Sequence, residues 1–361
     1  MKAGKKIPWI MLILLCITLI VVIQGVRHFF REDERQARVQ IREAVKHKYP
    51  EAVTRLKAMY GLKPFVKPKP SVKRDAQASE IILVHGLDEP GKVWMNLAPA
   101  LVMEGFSVWI MTYPNDQPIT ASAQFFLEHL ESHHPSGTGN ISIVAHSMGG
   151  LVAREMLTDP AMAYFGKVNT GTLPAVELLI MLGTPNHGSA LAQFRIFTEF
   201  RDQLTNLFNG NHHWLQGILD GAGEAGIDLI PGSKFLLRLN RRSHPRNLNM
   251  LVIAGVMSPW QRNEIEAFTR KIAVELPEGS RPAVKKMEEV LLSVSNEVGD
   301  GLVSVDSAQL PGVPLRIVQG THLSMIRNIR QGSQRVPPAI PVILEQLNRS
   351  DKRESEIILN Q

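Results

Sequence analysis

The chain has 361 residues, 44% of them hydrophobic, enough for one large domain with a sizeable core and further segments beside it. Its single cysteine, Cys16, excludes an intramolecular disulfide. The formal charge of +6 is uneven: residues 1–75 hold 17 Lys/Arg against 6 Asp/Glu, whereas residues 76–361 hold 23 against 28. A mildly acidic main domain argues against nucleic acid as a partner, and a basic N-terminal segment suits anionic lipid.

Residues 7–26, "IPWIMLILLCITLIVVIQGV", carry no charge. As a helix, 20 residues span about 30 Å, the thickness of the hydrocarbon core, so this run is expected to be a transmembrane anchor. A cleaved signal peptide is the rival, but "QGVR" is a poor cleavage site. Lys2, Lys5 and Lys6 precede the span and favour a cytoplasmic N-terminus, which places the main domain outside the cytoplasm, although Arg27, Arg31, Arg35 and Arg38 blunt the asymmetry.

Residues 27–78 read as a basic stalk and linker. "REDERQARVQIREAVKHKY" is rich in helix formers, Pro50 can restart a helix and Gly61 can end it. "LKPFVKPKPSVKRDAQAS" reads as an extended, proline-stiffened connector. From Glu80 the rhythm changes to short apolar runs: "EIILVHGL", "SVWIMTYP", "NISIVAHS", "VELLIMLGTP", "LNMLVIAGV" and "LRIVQGTH". Such runs suit strands buried on both faces of a parallel sheet, and segments of helical spacing lie between several of them. The expected class is α/β, with the main domain over residues 79–350 and a polar tail over 351–361.

"NISIVAHSMGGLVAREML" places Ser147 between an apolar strand and a helix. Ala145-His146-Ser147-Met148-Gly149 is a small-x-Ser-x-Gly pattern, the nucleophile elbow, with alanine at the first small position. A serine N-cap is the plain alternative, but the surrounding pattern is far more specific. A serine nucleophile needs a base, an orienting acid and an oxyanion hole. The hole is expected from the backbone N–H groups of Met148, after the serine, and Leu87, in the loop after "ILVHG". His85 is expected to shape that loop. Of five later histidines (His187, His212, His213, His244 and His322), only His322 directly follows a late strand. It also follows "NEVGDGLVSVDSAQ", which offers Asp300 between two glycines, with Asp306 and Glu297 as alternatives and Asp306 expected to cap the next element.

The motifs "VHGL", "AHSMGGLVAR", "LGTPNHGS", "DLIPGSKFLLRLN", "GDGLVSVDSA" and "THLSMI" together resemble the serine lipases and esterases of the α/β-hydrolase superfamily, bacterial triacylglycerol lipases and their deacylase and acyltransferase-like relatives in particular. The resemblance covers roughly residues 79–346. It implies an α/β-hydrolase fold, with Ser147 as nucleophile, Asp300 as acid, His322 as base, and Leu87 and Met148 giving the oxyanion N–H groups. It implies a lipid or other ester substrate and an acyl-enzyme. No cofactor and no metal is expected; the pair His212-His213 has no carboxylate or cysteine at ligand spacing. Two departures stand out: residues 257–299 form an unusually long connection before Asp300, and the chain carries an anchor. A long insertion, residues 190–247, holds Leu191, Phe194, Phe197, Phe200, Leu204 and Leu207 at near-helical spacing, either packed on the core or forming a cap over the site. A catalytically silent binding protein is the competing class, and an acyltransferase or phospholipase is the alternative on the same triad.

Overall fold

The computed structural model describes residues 47, 50–65, 80–87, 91–115, 117–134, 139–189, 224–245, 247–257, 262–275, 281–330 and 332–359. The apolar span at residues 7–26 lies outside them; among the described residues no helix is long and apolar enough to cross a membrane.

Each of the six apolar runs forms a strand: β2 (Glu80–Val84), β3 (Ser107–Thr112), β4 (Asn140–His146), β5 (Ala175–Leu182), β6 (Asn249–Val256) and β7 (Leu315–Gln319). They are mutually parallel and, with a further edge strand β1 (Gly61–Pro64), form one seven-stranded sheet of order β1-β3-β2-β4-β5-β6-β7. Alternation along each strand divides the core into two layers. Ile82, Val84, Ile143, Ala145 and Met181 face helices Ile119–His133 and Met148–Thr158. Ile81, Leu83, Val144, Ile180 and Ile253 face helix Leu97–Met103 and the start of helix Ala339–Leu359. Residues in both layers are buried on both sides of the sheet, which is why the strands read as unbroken apolar runs rather than alternating ones.

Two expected boundaries shift. The first strand, β1 (Gly61–Pro64), lies within the expected linker and pairs antiparallel with β3. Leu62 packs on the core, and Pro64 is tolerated because the strand is at the sheet edge. The helix before it, Pro50–Met59, starts at the proline as expected, and Tyr60 meets Phe125 edge-on at 6.3 Å. At the other end, residues 351–359 are not a separate tail but continue helix Ala339–Leu359. Ala339, Ile340, Ile343 and Leu347 bury one face of it, and the exposed Arg349–Glu345 pair sits one turn apart on another.

The long connection before Asp300 is a helical hairpin, Arg262–Glu275 followed by Arg281–Val298. Ile265 and Val284 are buried, and the Thr269 hydroxyl donates to Glu288 across the pair. The Met257 N–H donates to the Gly299 carbonyl at 2.7 Å, so the excursion leaves and returns at one point of the sheet. Of the insertion, residues 190–223, with Phe194, Phe197 and Phe200, lie outside the described residues. Its second half forms helices Glu224–Asp228 and Lys234–Asn240, whose Phe235, Leu236 and Leu239 are buried in the core.

Candidate active site

β4 ends at His146, and Ser147 turns the chain at φ 53, ψ −129 before helix Met148–Thr158 begins. Among the described residues it and Ala163 are the non-glycine residues at positive φ. A residue held in so sparse a region stores about 1–3 kcal/mol, which the surrounding structure must supply. The Ser147 N–H donates to the Leu182 carbonyl at the end of β5, 2.8 Å, and helix residues 148–157 are wholly buried beneath the turn. The helix starts against β2: a Cβ on Gly149 would stand 2.4 Å from the Val84 carbonyl oxygen and 2.5 Å from that of His85. Only glycine permits this approach, which explains the second small position of the motif.

Asp300 follows helix Arg281–Val298 in a tight turn, and its carboxylate is fully engaged. Oδ1 accepts the N–H groups of Leu302 at 2.9 Å and Val303 at 2.8 Å. Oδ2 accepts Nδ1–H of His322 at 2.8 Å. The His322 N–H donates in turn to the Asp300 carbonyl at 2.9 Å, so backbone and side chain both join the two residues. With Nδ1 carrying the proton, Nε2 of His322 is left with its lone pair. Both residues are buried.

Ser147 and His322 line one pocket with Leu87, His146, Pro185, Ser189, Leu229, Leu302, Val303 and Leu323. Leu87 sits in the turn after β2, and Met148 is the first residue of its helix, where a backbone N–H has no acceptor within the helix. The helix N-terminus behind Ser147 favours negative charge there.

Two further histidines surround this turn, and burial favours the neutral form of both. His146 donates Nε2–H to the His322 carbonyl at 2.9 Å, and its Nδ1 has no partner among the described residues. Burial, then the neighbouring His322, pushes its pKa well below the usual imidazole value. His85 bonds through Nδ1 to the Gly86 carbonyl at 2.7 Å and stacks on Tyr113 at 4.6 Å. Burial pushes its pKa down to about 4. Tyr113 donates its hydroxyl to the His85 carbonyl at 2.6 Å, and burial drives the phenol pKa up. His85 thus shapes the loop carrying Leu87 and does not line the pocket.

A serine at positive φ on the strand-to-helix turn at the middle of a parallel sheet, with helices on both faces, decides the fold. It is that of an α/β-hydrolase. A family described as a domain of unknown function, DUF7379, matches residues 117–296, which include Ser147 and stop short of Asp300 and His322. No curated protein matches the chain in sequence. Solved structures similar to this chain include a mature lipase from Bacillus licheniformis, 18% identical over 76% of this chain and 95% of that one, TM-score 0.46. A phospholipase from Legionella pneumophila is 18% identical over 74% of this chain and 59% of its own length, TM-score 0.48. A metagenomic carboxyl esterase is 17% identical over 80% and 82%, TM-score 0.49.

The residues expected at the site therefore meet: Ser147, His322 and Leu87 line one pocket, Asp300 is bonded to His322, and Met148 follows the serine. The alternatives stand apart. Asp306 is exposed in the first turn of helix Val305–Ala308, and the cap of that helix is Ser304, not Asp306 as expected. Glu297 lies within helix Arg281–Val298. His187 is exposed and bonds to the Gln309 carbonyl, and His212 and His213 lie outside the described residues. Sequence reasoning missed the lining by Ser189, Leu229, Leu302, Val303 and Leu323, although these flank "TPNHGS", "GDGLV" and "THLS". It also missed the support beneath the elbow. Arg154 donates to Asn186 at 2.8 Å and Asn240 at 3.0 Å, and burial holds its pKa down to about 10. The fully buried Glu155 accepts Thr120, Arg238 and Arg242.

Proposed function

We propose that the chain is a membrane-anchored serine hydrolase that cleaves carboxylic esters, lipids above all. The observation that carries the reading is the 2.8 Å Asp300–His322 hydrogen bond in the wall of the pocket onto which Ser147 is turned at φ 53. In this reading Nε2 of His322 takes the Ser147 proton as the hydroxyl attacks the ester carbonyl. Asp300 fixes the imidazole tautomer and stabilises the imidazolium. The N–H groups of Leu87 and Met148 hold the oxyanion. His322 returns its proton to the departing alcohol, and water, activated by the same imidazole, releases the acid from the serine.

The lipid assignment is supported by the lining of Leu87, Pro185, Leu229, Leu302, Val303 and Leu323, apolar groups suited to an acyl chain. Residues 7–26 are proposed to anchor the enzyme in the bilayer, followed by the basic stalk and linker expected over residues 27–78, with the catalytic domain outside the cytoplasm. The insertion, residues 190–247, is proposed to cover the pocket in part.

A series of nitrophenyl esters of increasing acyl length tests the substrate class. Each buried methylene is worth about 0.8 kcal/mol, so kcat/KM rises several-fold per added carbon until the pocket is full. Triglyceride or phospholipid in micelles is also cleaved. An optimum at acetyl with no action on aggregated lipid leaves a short-chain esterase instead. Turnover that requires an added acceptor alcohol identifies an acyltransferase.

A further inference from the structure

The sheet end remote from Ser147 carries a second cluster of chemistry. Glu80 is the first residue of β2, and six residues of extended chain, about 20 Å, separate it from Gly86 beside the serine. His133 ends helix Ile119–His133 and His134 caps it. Their side chains converge on one carboxylate oxygen. Nε2 of His134 stands 3.0 Å and Nε2 of His133 stands 3.4 Å from Oε1 of Glu80.

We propose that Glu80, His133 and His134 bind one divalent transition-metal ion of the zinc class, joining the carboxyl end of this helix to the amino end of β2. Five features support the site. Zinc bonds imidazole nitrogen and carboxylate oxygen at about 2.0–2.2 Å, so ligand atoms on a tetrahedron stand about 3.3 Å apart. The two measured separations bracket that value, and the three ligand atoms all lie within 4.8 Å of one another. The ligand set, two imidazoles and one carboxylate, is borderline-soft and suits zinc rather than calcium or magnesium. The side chains are 14–22% exposed, wet enough for a metal to enter and for water to fill the fourth position. The His133 ring is held by Trp109 at 3.9 Å and by His134 at 4.5 Å, which limits the rotamer freedom lost on binding. The ion would also lie at the carboxyl end of a 15-residue helix, where the macrodipole favours positive charge.

Adjacent histidines alone carry no ligand spacing in the sequence; only the sheet brings Glu80 to them. The test uses the full chain with a histidine-free tag, stripped with chelator and titrated with Zn²⁺ and Co²⁺. The expected result is one ion bound per chain, a visible Co²⁺ spectrum of low coordination number, and a Tm several degrees higher at ~100-fold excess over Kd. Glu80→Gln and the double change His133→Gln/His134→Gln weaken binding at least ~100-fold and abolish the Tm rise. His212→Ala/His213→Ala leaves both intact. Glu80→Gln keeps a hydrogen-bonding group, so it reads the site even if the double variant fails to fold. No binding tighter than ~1 mM, or binding that survives Glu80→Gln, or loss only in His212→Ala/His213→Ala, overturns the proposal and leaves a metal-free hydrogen-bonded cluster.

Discussion

The Nε2–H of His146 donates to the backbone carbonyl of His322 across 2.9 Å, while the His322 N–H donates to the Asp300 carbonyl across 2.9 Å. The residue before the serine thereby holds the loop that carries the imidazole, and that loop is held in turn by the acid. Three segments far apart in sequence are fixed to one another by backbone bonds as well as by side chains.

His146→Ala therefore loses more than a buried ring. It leaves the His322 carbonyl without its donor, at about 1–3 kcal/mol of stability. It also lets the imidazole drift, at about 10- to 100-fold in kcat with KM little changed. Steady-state kinetics beside thermal unfolding check both.

Gly183→Ala is expected to damage the site while sparing the sheet. Gly183 has φ 54, and a Cβ there would stand 2.9 Å from Oδ2 of Asp300 and 3.1 Å from Cε1 of His322. The backbone strain is about 1–2 kcal/mol. The contact with the Asp300–His322 pair lowers kcat at least ~10-fold. A folded variant of wild-type activity would show that the pair can move aside without loss.

Asp300→Asn removes the carboxylate that holds the Nδ1–H tautomer and is expected to cost about 10⁴ in kcat. Asp306→Asn, on an exposed turn, stays within about twofold of wild type. Parallel measurement of the two variants on one nitrophenyl ester distinguishes the assignments.

How much of this was legible before the structure depends on range. The six apolar strands and the elbow were readable because burial on both faces leaves unbroken runs and because a turn at Ser147 tolerates only small neighbours. Order along the chain singled out Ser147 and His322 but left Asp300, Asp306 and Glu297 open as the acid, and the choice of Asp300 came with the resemblance to serine lipases. β1 was hidden because Gly61–Pro64 is four residues of edge strand with one apolar position, Leu62, inside a run of lysine and proline. The hairpin before Asp300 reads in the sequence only as an unusually long connection, since nothing local shows that Met257 and Gly299 are bonded to each other. Glu155 was unreadable for the same reason: its partners Thr120, Arg238 and Arg242 come from two other helices or their ends.

Glu155 also yields a stability prediction. It is fully buried, and Arg242 bonds to its Oε2 at 2.6 Å while Arg238 bonds to its Oε1 at 3.0 Å. Glu155→Ala takes the buried carboxylate from between Arg242, Arg238 and Thr120, leaving Arg242 to Asp159 and Thr158, and is expected to cost about 1–3 kcal/mol. Denaturant unfolding reads this directly, and a change below ~1 kcal/mol would mean that the cluster contributes little.

His85 should contribute to acid sensitivity beside the equally buried His146. Its folded pKa of about 4 lies below the unfolded value of 6.5, so the unfolded chain binds the extra proton. The native state keeps its full stability above pH 6.5 and loses it as pH falls toward about 4, by about 3 kcal/mol. His85→Phe should remove that part of the slope in unfolding free energy measured from pH 7 to pH 4. An unchanged slope would place the acid sensitivity elsewhere.

Labelling with a fluorophosphonate, followed by peptide mapping, tests the central claim most directly. The probe phosphonylates only a serine whose hydroxyl is activated, so the account predicts one adduct, on Ser147. Ser147→Ala should abolish it and His322→Ala should slow its formation by several orders of magnitude, with both variants still folded. Folded wild-type protein that takes up no probe, or an adduct on another serine that persists in Ser147→Ala, would contradict it.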